Sequence, residues 1–143
     1  MNEKDISTKH GDKIFCVFDS DVNQSKQDRI FQAYRKAKRK GIELIMSVPS
    51  FELWYLLHYK KTTHCFSSNK ELENELKKFI TNYEKNKNVF PVIIDNINKA
   101  IAHSKFLKKH HHLELENPIL DMKLNPSTDV YKVIEYINGL LEE

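Results

Sequence analysis

The hydrophobic pattern changes period several times along this chain, and each change predicts an element. Ile14-Phe15-Cys16-Val17-Phe18 is an unbroken apolar run that ends in Asp19-Ser20-Asp21. A short continuous run rich in Ile, Val and Phe predicts a strand buried on both faces. Cys16 would sit inside it as a small hydrophobe. Val22-Asn23-Gln24-Ser25 is polar and opens a helix on which Ile30, Ala33, Tyr34 and Ala37 keep the i, i+3, i+4, i+7 spacing. Gly41 ends that helix. Ile42-Glu43-Leu44-Ile45-Met46 predicts a second strand. Strand, helix and strand over roughly thirty residues form a βαβ unit, whose right-handed crossover makes the two strands parallel.

Beyond the second strand, Pro49 suits the first turn of a helix and Ser50 its cap. The segment Phe51-Glu52-Leu53-Trp54-Tyr55-Leu56-Leu57-His58-Tyr59 is apolar nearly all round, the mark of a buried helix. Lys60 to Ser68 reads as a loop. Asn69 to Tyr83 reads as an amphipathic helix with Leu72, Leu76, Phe79, Ile80 and Tyr83 inward. A polar break at 84–88 precedes a helix opened by Pro91, with Ile94, Ile97, Ile101 and Phe106 inward. Glu114 to Asn125 reads as irregular. Asn125-Pro126-Ser127-Thr128-Asp129 caps a last helix that carries Val130, Val133, Ile134, Ile137 and Leu141. The expected architecture is α/β: a small parallel sheet with flanking helices and a helix-rich C-terminal half. Residues 1–12 form a polar N-terminal arm, and residues 13–143 form a single domain.

Composition narrows the function classes. The chain has 143 residues, 40% hydrophobic and 30% charged, enough for one domain with a core. No apolar run approaches the roughly 20 residues needed to span a bilayer, and Met1 to Asp12 lacks the character of a signal peptide. The two cysteines, Cys16 and Cys65, form no CxxC pair, which fits a cytoplasmic setting. Net charge is only +3, so local clustering says more than the total. Lys26, Arg29, Arg35, Lys36, Lys38, Arg39 and Lys40 crowd one segment. Lys105, Lys108, Lys109 and His110 to His112 form a second patch. Either could contact phosphates, although basic residues near helix C-termini also suit the helix dipole.

Two aspartates one residue apart, at the C-terminal end of a strand, occupy the place where open α/β sheets hold their ligands. In extended backbone, residues i and i+2 face one side, so Asp19 and Asp21 would converge on one hard divalent cation. They could equally do no more than end the strand. If the second strand is a neighbour, Glu52 joins them, making a plausible Mg²⁺ or Mn²⁺ site for phosphoryl chemistry. Glu52 is also a residue that the helix dipole favours on its own, yet in so apolar a helix it needs a partner. Consecutive His110, His111 and His112 point in different directions on a helix and do not form a chelating set. His58 fits a packed core histidine better than an acid or base. With glycine only at positions 11, 41 and 139, a Gly-rich phosphate loop is excluded.

Several segments in this order resemble the RloB-like family: Val17-Phe18-Asp19-Ser20-Asp21, Gly41-Ile42, Ser47-Val48-Pro49-Ser50-Phe51-Glu52-Leu53-Trp54-Tyr55-Leu56-Leu57-His58 and Asn125-Pro126-Ser127-Thr128-Asp129-Val130. The resemblance runs from about Ile14 to Ile137. It implies a fold related to the Toprim domain, with Mg²⁺ on the aspartates matching Asp19 and Asp21. It also implies metal-dependent phosphodiester chemistry of nuclease type in bacterial or archaeal antiphage defence. Arg35, Lys36, Lys38, Arg39 and Lys40 would hold a nucleic-acid backbone. Family members usually carry an N-terminal strand and acidic motif, for which the polar segment Met1 to Asp12 offers no counterpart. An exposed sheet edge would then favour a homo-oligomer or a defence partner such as an ATPase.

Overall fold

In the computed structural model, residues 12–85 and 87–142 are described. The expected N-terminal arm therefore lies, except for Asp12, outside the described residues. Strand β1 (Ile14–Asp19) leads through a short 3-10 turn at Gln24–Lys26 into helix α1 (Gln27–Lys40), followed by strand β2 (Ile42–Val48). The two strands are parallel, with Ile14 opposite Ile42 and Asp19 opposite Ser47. Gly41 ends α1 at φ 73°, in the left-handed region. Its backbone N–H caps the carbonyls of Ala37 and Lys38, a geometry that glycine adopts without a Cβ penalty.

Helix α2 (Glu52–Leu56) follows β2, then α3 (Asn69–Leu76), α4 (Phe90–Ile93) and α5 (Ile97–His110). Strand β3 (Ser127–Thr128) pairs antiparallel with β2, and α6 (Val130–Leu141) closes the order. The sheet is thus three-stranded in the order β1-β2-β3, where only the two parallel strands were legible in sequence. The main core joins Ile45 to Leu53, Leu56, Leu57, Leu72, Leu76, Leu107 and Tyr131. A smaller cluster on the other side of the sheet joins Ile30, Met46, Val48, Ile119 and Met122. The α/β class with flanking helices is the observed one.

Several local expectations are corrected. Strand β1 is an edge strand, paired among the described residues only with β2. Cys16 and Val17 are accordingly exposed, not buried on both faces. Ala33 is exposed although it shares the helical spacing of Ile30 and Ala37. Helix α3 ends at Leu76, and Ile80 and Tyr83 reach the core from turns, while Phe79 is exposed. The helix after Pro91 is interrupted by a 3-10 turn at Ile94–Asn96. That tighter turn shifts the phase, so Ile94 is exposed while Ala100, Ser104 and Leu107 are buried. On α6, Val130 and Tyr131 are buried but Ile137 and Leu141 are exposed.

The second basic patch also changes. Lys108 is fully buried, its Nζ donating to Asp129 Oδ1 at 2.9 Å, the Leu115 carbonyl at 2.9 Å and the Asn117 carbonyl. Asp129 makes no side-chain cap of α6. Its other oxygen accepts the Ile119 N–H at 2.8 Å. All three ammonium protons and both carboxylate oxygens are satisfied, as a buried ion pair requires. This pair pins the irregular 113–125 segment against the core.

Candidate functional site

Strand β1 ends at Asp19, and three bonds clamp its end to the connection between β2 and α2. Ser20 N–H donates to the Ser47 carbonyl at 3.0 Å, and Asp21 N–H to the Pro49 carbonyl at 2.8 Å. Phe51 N–H donates to Asp19 Oδ1 at 2.8 Å. Ser20 and Ser50 are fully buried in this clamp. Ser50 does not cap α2: its hydroxyl donates to Glu52 Oε1 at 3.0 Å. Pro49 precedes the helix, and Phe51 is its N-cap.

Asp21 takes φ 58°, so the extended geometry that would align the two aspartates stops after Asp19. The left-handed backbone at Asp21, beyond the last residue of β1, breaks regular strand alternation. The Asp21 carboxylate is tied down at both oxygens, one accepting from the Lys26 ammonium and the other from Asn69 Nδ2 at 3.0 Å. The lysine hydrogen bond, more than any other influence, holds Asp21 below the usual carboxylate range. Glu52 is buried, and the partner its sequence setting demands is present: Tyr83 Oη donates to Oε2 at 2.9 Å. Burial first, then this bond to Glu52, raises the Tyr83 pKa.

Asp19 differs from both. Its Oδ1 is held by the Phe51 amide, whereas Oδ2 has no hydrogen-bond partner among the described residues. Its pKa is raised, by burial first, with the fields of Glu52 and Asp21 adding; the Phe51 bond and the Lys85 ammonium work against this. Glu52, Asp21 and Lys85 are therefore all electrostatic neighbours of Asp19. Among the described residues no group of three or more His, Cys, Asp or Glu side chains is arranged to hold a metal ion. That is no obstacle for Mg²⁺, which is commonly bound by one or two carboxylates plus waters and substrate phosphates. The oxygens of Asp21 and Glu52 are committed to Lys26, Asn69, Ser50 and Tyr83, so a cation here would take one Asp19 oxygen directly and complete its shell with waters and phosphate oxygens.

The basic residues separate into two groups. Lys26 and Arg29 lie at the start of α1 and line a groove with Phe18, Asp19, Ile30 and Ala33. Arg35, Lys36, Lys38, Arg39 and Lys40 are exposed on the last turns of the helix. Fourteen residues span about 21 Å at 1.5 Å per residue. The helix runs back from the Asp19 end of the sheet to the Ile42 end. The structure therefore does not bring Arg35 to Lys40 together with the carboxylates, and the nearby cations are Lys26, Arg29 and Lys85. Another surface groove, about 500 Å³, is bordered by Lys13, Glu43, Lys105, Glu135 and Tyr136 and does not include Asp19. The ion pairs Lys13–Glu43 and Lys105–Glu135 bridge residues of its lining.

His58 is buried with Nδ1 on the Trp54 carbonyl at 2.8 Å, and Nε2 has no hydrogen-bond partner among the described residues. Burial lowers its pKa. It is a core histidine packed edge-on against Trp54. Asn69, Tyr83 and Lys85 are the contributors to the site that sequence reasoning missed. Nothing in their local spacing marks them: Asn69 is the first residue of α3, and Tyr83 and Lys85 lie in the connection between α3 and α4.

The fold and site thus define a small mixed α/β protein whose carboxylates collect where parallel strands end, beside a basic groove. The chain belongs to the RloB-like protein family, which matches residues 1–137. No curated protein and no solved structure matches it.

Proposed function

We propose that this chain is a divalent-metal-dependent domain of nuclease type, hydrolysing phosphodiesters in an antiphage or restriction-associated defence system. A Toprim-like arrangement would place its ligand at the Asp19 end of the sheet. The observation that carries the reading is Asp19: a half-buried carboxylate with one oxygen fixed and the other unpartnered, in the fields of Asp21 and Glu52. Family membership supports it. So does the position at the C-terminal ends of parallel strands, where α/β proteins bind ligands.

Bound Mg²⁺ or Mn²⁺ would neutralise phosphoryl charge and make a water acidic. Asp19 would hold the ion, with Asp21 kept anionic by Lys26 as its partner in charge. Glu52 would orient a water or accept its proton, its own position set by Ser50 and Tyr83. Arg35, Lys36, Lys38, Arg39 and Lys40 offer a remote contact to the backbone of a long strand. The test is Mn²⁺-dependent cleavage of single- and double-stranded DNA and RNA. Wild type cleaves at least one of these, and Asp19→Asn combined with Asp21→Asn abolishes it. Absence of cleavage by wild type with every divalent ion tried overturns the reading.

A second reading is a non-catalytic interaction module. It is favoured by the outer edge of β1, unpaired among the described residues, with Val17 exposed. Such an edge pairs readily with another strand, from a second copy or a partner ATPase. That reading predicts a melting temperature indifferent to Mg²⁺.

A further inference from the structure

The groove beside Asp19 has a composition that phosphodiester chemistry alone does not require. Its lining combines α1 and the turn before it with the end of β1: Phe18, Ile30 and Ala33 supply apolar surface, Lys26 and Arg29 supply positive charge, and Asp19 completes the lining. Its volume is about 220 Å³, below the roughly 300–1,000 Å³ of sites for drug-sized ligands. A space of that size suits one ring or sugar of a longer molecule.

The two cations are not equivalent. Lys26 is committed to Asp21. Arg29 is exposed and has no hydrogen bond or ion pair among the described residues. An arginine presents five donors in a planar fork that matches phosphate oxygens in pairs. Here the fork stands three residues beyond Lys26, one helical turn along the same face. Ala33 is exposed one further turn along, so the helix leaves the groove floor open where a larger side chain would fill it.

Resting on the nuclease reading of the same site, we propose that this groove is the substrate-binding site for single-stranded nucleic acid. Arg29 holds a phosphate next to Asp19, and the Phe18–Ile30–Ala33 surface receives the adjoining base. Charge complementarity selects the occupant: a strand supplies an anion for Arg29 and an apolar ring for the apolar lining of the same groove. Recognition of this kind is sequence-tolerant, since every base has an apolar face. Arg29 is a phosphate-binding residue in this scheme, and Arg35 to Lys40 contribute only to longer strands.

The test is fluorescence anisotropy with a short labelled oligothymidylate and an abasic oligomer of equal length and charge, in EDTA so that cleavage and metal play no part. Wild type binds the oligothymidylate more tightly than the abasic strand. Arg29→Ala weakens both by about tenfold, as expected for loss of a charge-assisted hydrogen bond, and lowers the salt slope by about 0.7. Ala33→Glu, at an exposed helical position, erases the preference for bases over abasic sugar. Melting curves of the variants matching wild type show that the fold is retained.

If wild type binds and Arg29→Ala and Ala33→Glu bind equally well, while Arg35→Gln with Lys36→Gln and Arg39→Gln loses affinity, the groove is not the site and the nuclease reading survives. If wild type cleaves with Mn²⁺ but shows no base preference, the groove assignment fails likewise. If wild type neither binds nor cleaves any strand, the nuclease reading falls and this inference falls with it.

Discussion

The backbone N–H of Phe51 donates to Oδ1 of Asp19 at 2.8 Å, across a separation of 32 residues. This one bond ties the end of the first strand to the beginning of α2. It makes the position of Glu52, the next residue, dependent on Asp19. A carboxylate oxygen used in this way cannot swing freely, so the other oxygen of Asp19 is presented from a fixed point. Pre-set geometry of this kind is what a metal or phosphate site needs.

The arrangement carries a stability cost with a definite sign. The folded-state pKa of Asp19 is raised above the 3.8 of the reference carboxyl. Stability from this group is therefore fully present below about pH 3.8 and declines as pH rises through the folded-state value. Asp19→Asn keeps an oxygen for Phe51 and removes the charge. It should raise the melting temperature at pH 7, by no more than about 2 °C because the group is half-exposed and screened. The gain should shrink as pH is lowered. Calorimetric scans at several pH values check this.

His58 predicts the opposite slope. Burial lowers its folded-state pKa below the reference 6.5, and half-burial shifts His111 the same way. Below pH 6.5 the unfolded chain takes up protons that the folded chain refuses, so stability falls as pH drops from there. His58→Phe should flatten the fall of unfolding free energy below pH 6.5, leaving the part due to His111. An unchanged profile in urea titrations of the variant would show that His58 is not the group responsible.

The buried pair Lys108–Asp129 should behave as a unit. Lys108→Met leaves the buried Asp129 carboxylate with only the Ile119 N–H and the Lys132 ammonium at 3.7 Å, and should cost about 3 kcal/mol, at the low end for a broken buried pair. Adding Asp129→Leu should recover part of that loss, giving a coupling free energy on the order of 1–3 kcal/mol. Strictly additive losses in a double-mutant cycle would contradict a mutual interaction.

Two glycines should respond in opposite directions. A Cβ at Gly139, within α6, meets nothing within 4 Å, so Gly139→Ala should stabilise by about 0.5–1 kcal/mol. Gly41 sits at φ 73°, and Gly41→Ala should destabilise, by about 1 kcal/mol, through strain. Chemical denaturation of the two variants measures both.

Much of the first half of the fold was legible because its signals are local. The run from Ile14 to Phe18, the spacing of Ile30 and Ala37, the stop at Gly41 and the run from Ile42 define β1, α1 and β2 without long-range information. Burial of Cys16 and Val17 was misread because neighbouring strands are set by topology, which a single apolar run does not encode. Ser127 and Thr128 make too short a strand to show a period. The phase of α5 was lost at Ile94–Asn96, where a 3-10 turn breaks the count. Lys108 reads as surface charge until Asp129, 21 residues on, is placed against it.

At the site, Asp19, Asp21 and Glu52 were legible as chemistry but not as geometry. Their separate commitments to Phe51, Lys26 with Asn69, and Ser50 with Tyr83 arise from turns that only the folded chain brings together. Arg35 to Lys40 stand out by density, while Arg29, closer to the carboxylates, is one isolated arginine. Density of charge along a chain does not report which end of a helix faces a strand terminus.

Mn²⁺ binding followed by electron paramagnetic resonance tests, without any substrate, whether the free oxygen of Asp19 ligates a divalent cation. Wild type should bind saturably, Asp19→Asn should lose binding, and Mg²⁺ should compete. Equal Mn²⁺ binding by wild type and Asp19→Asn, or none by either, would contradict ligation by Asp19.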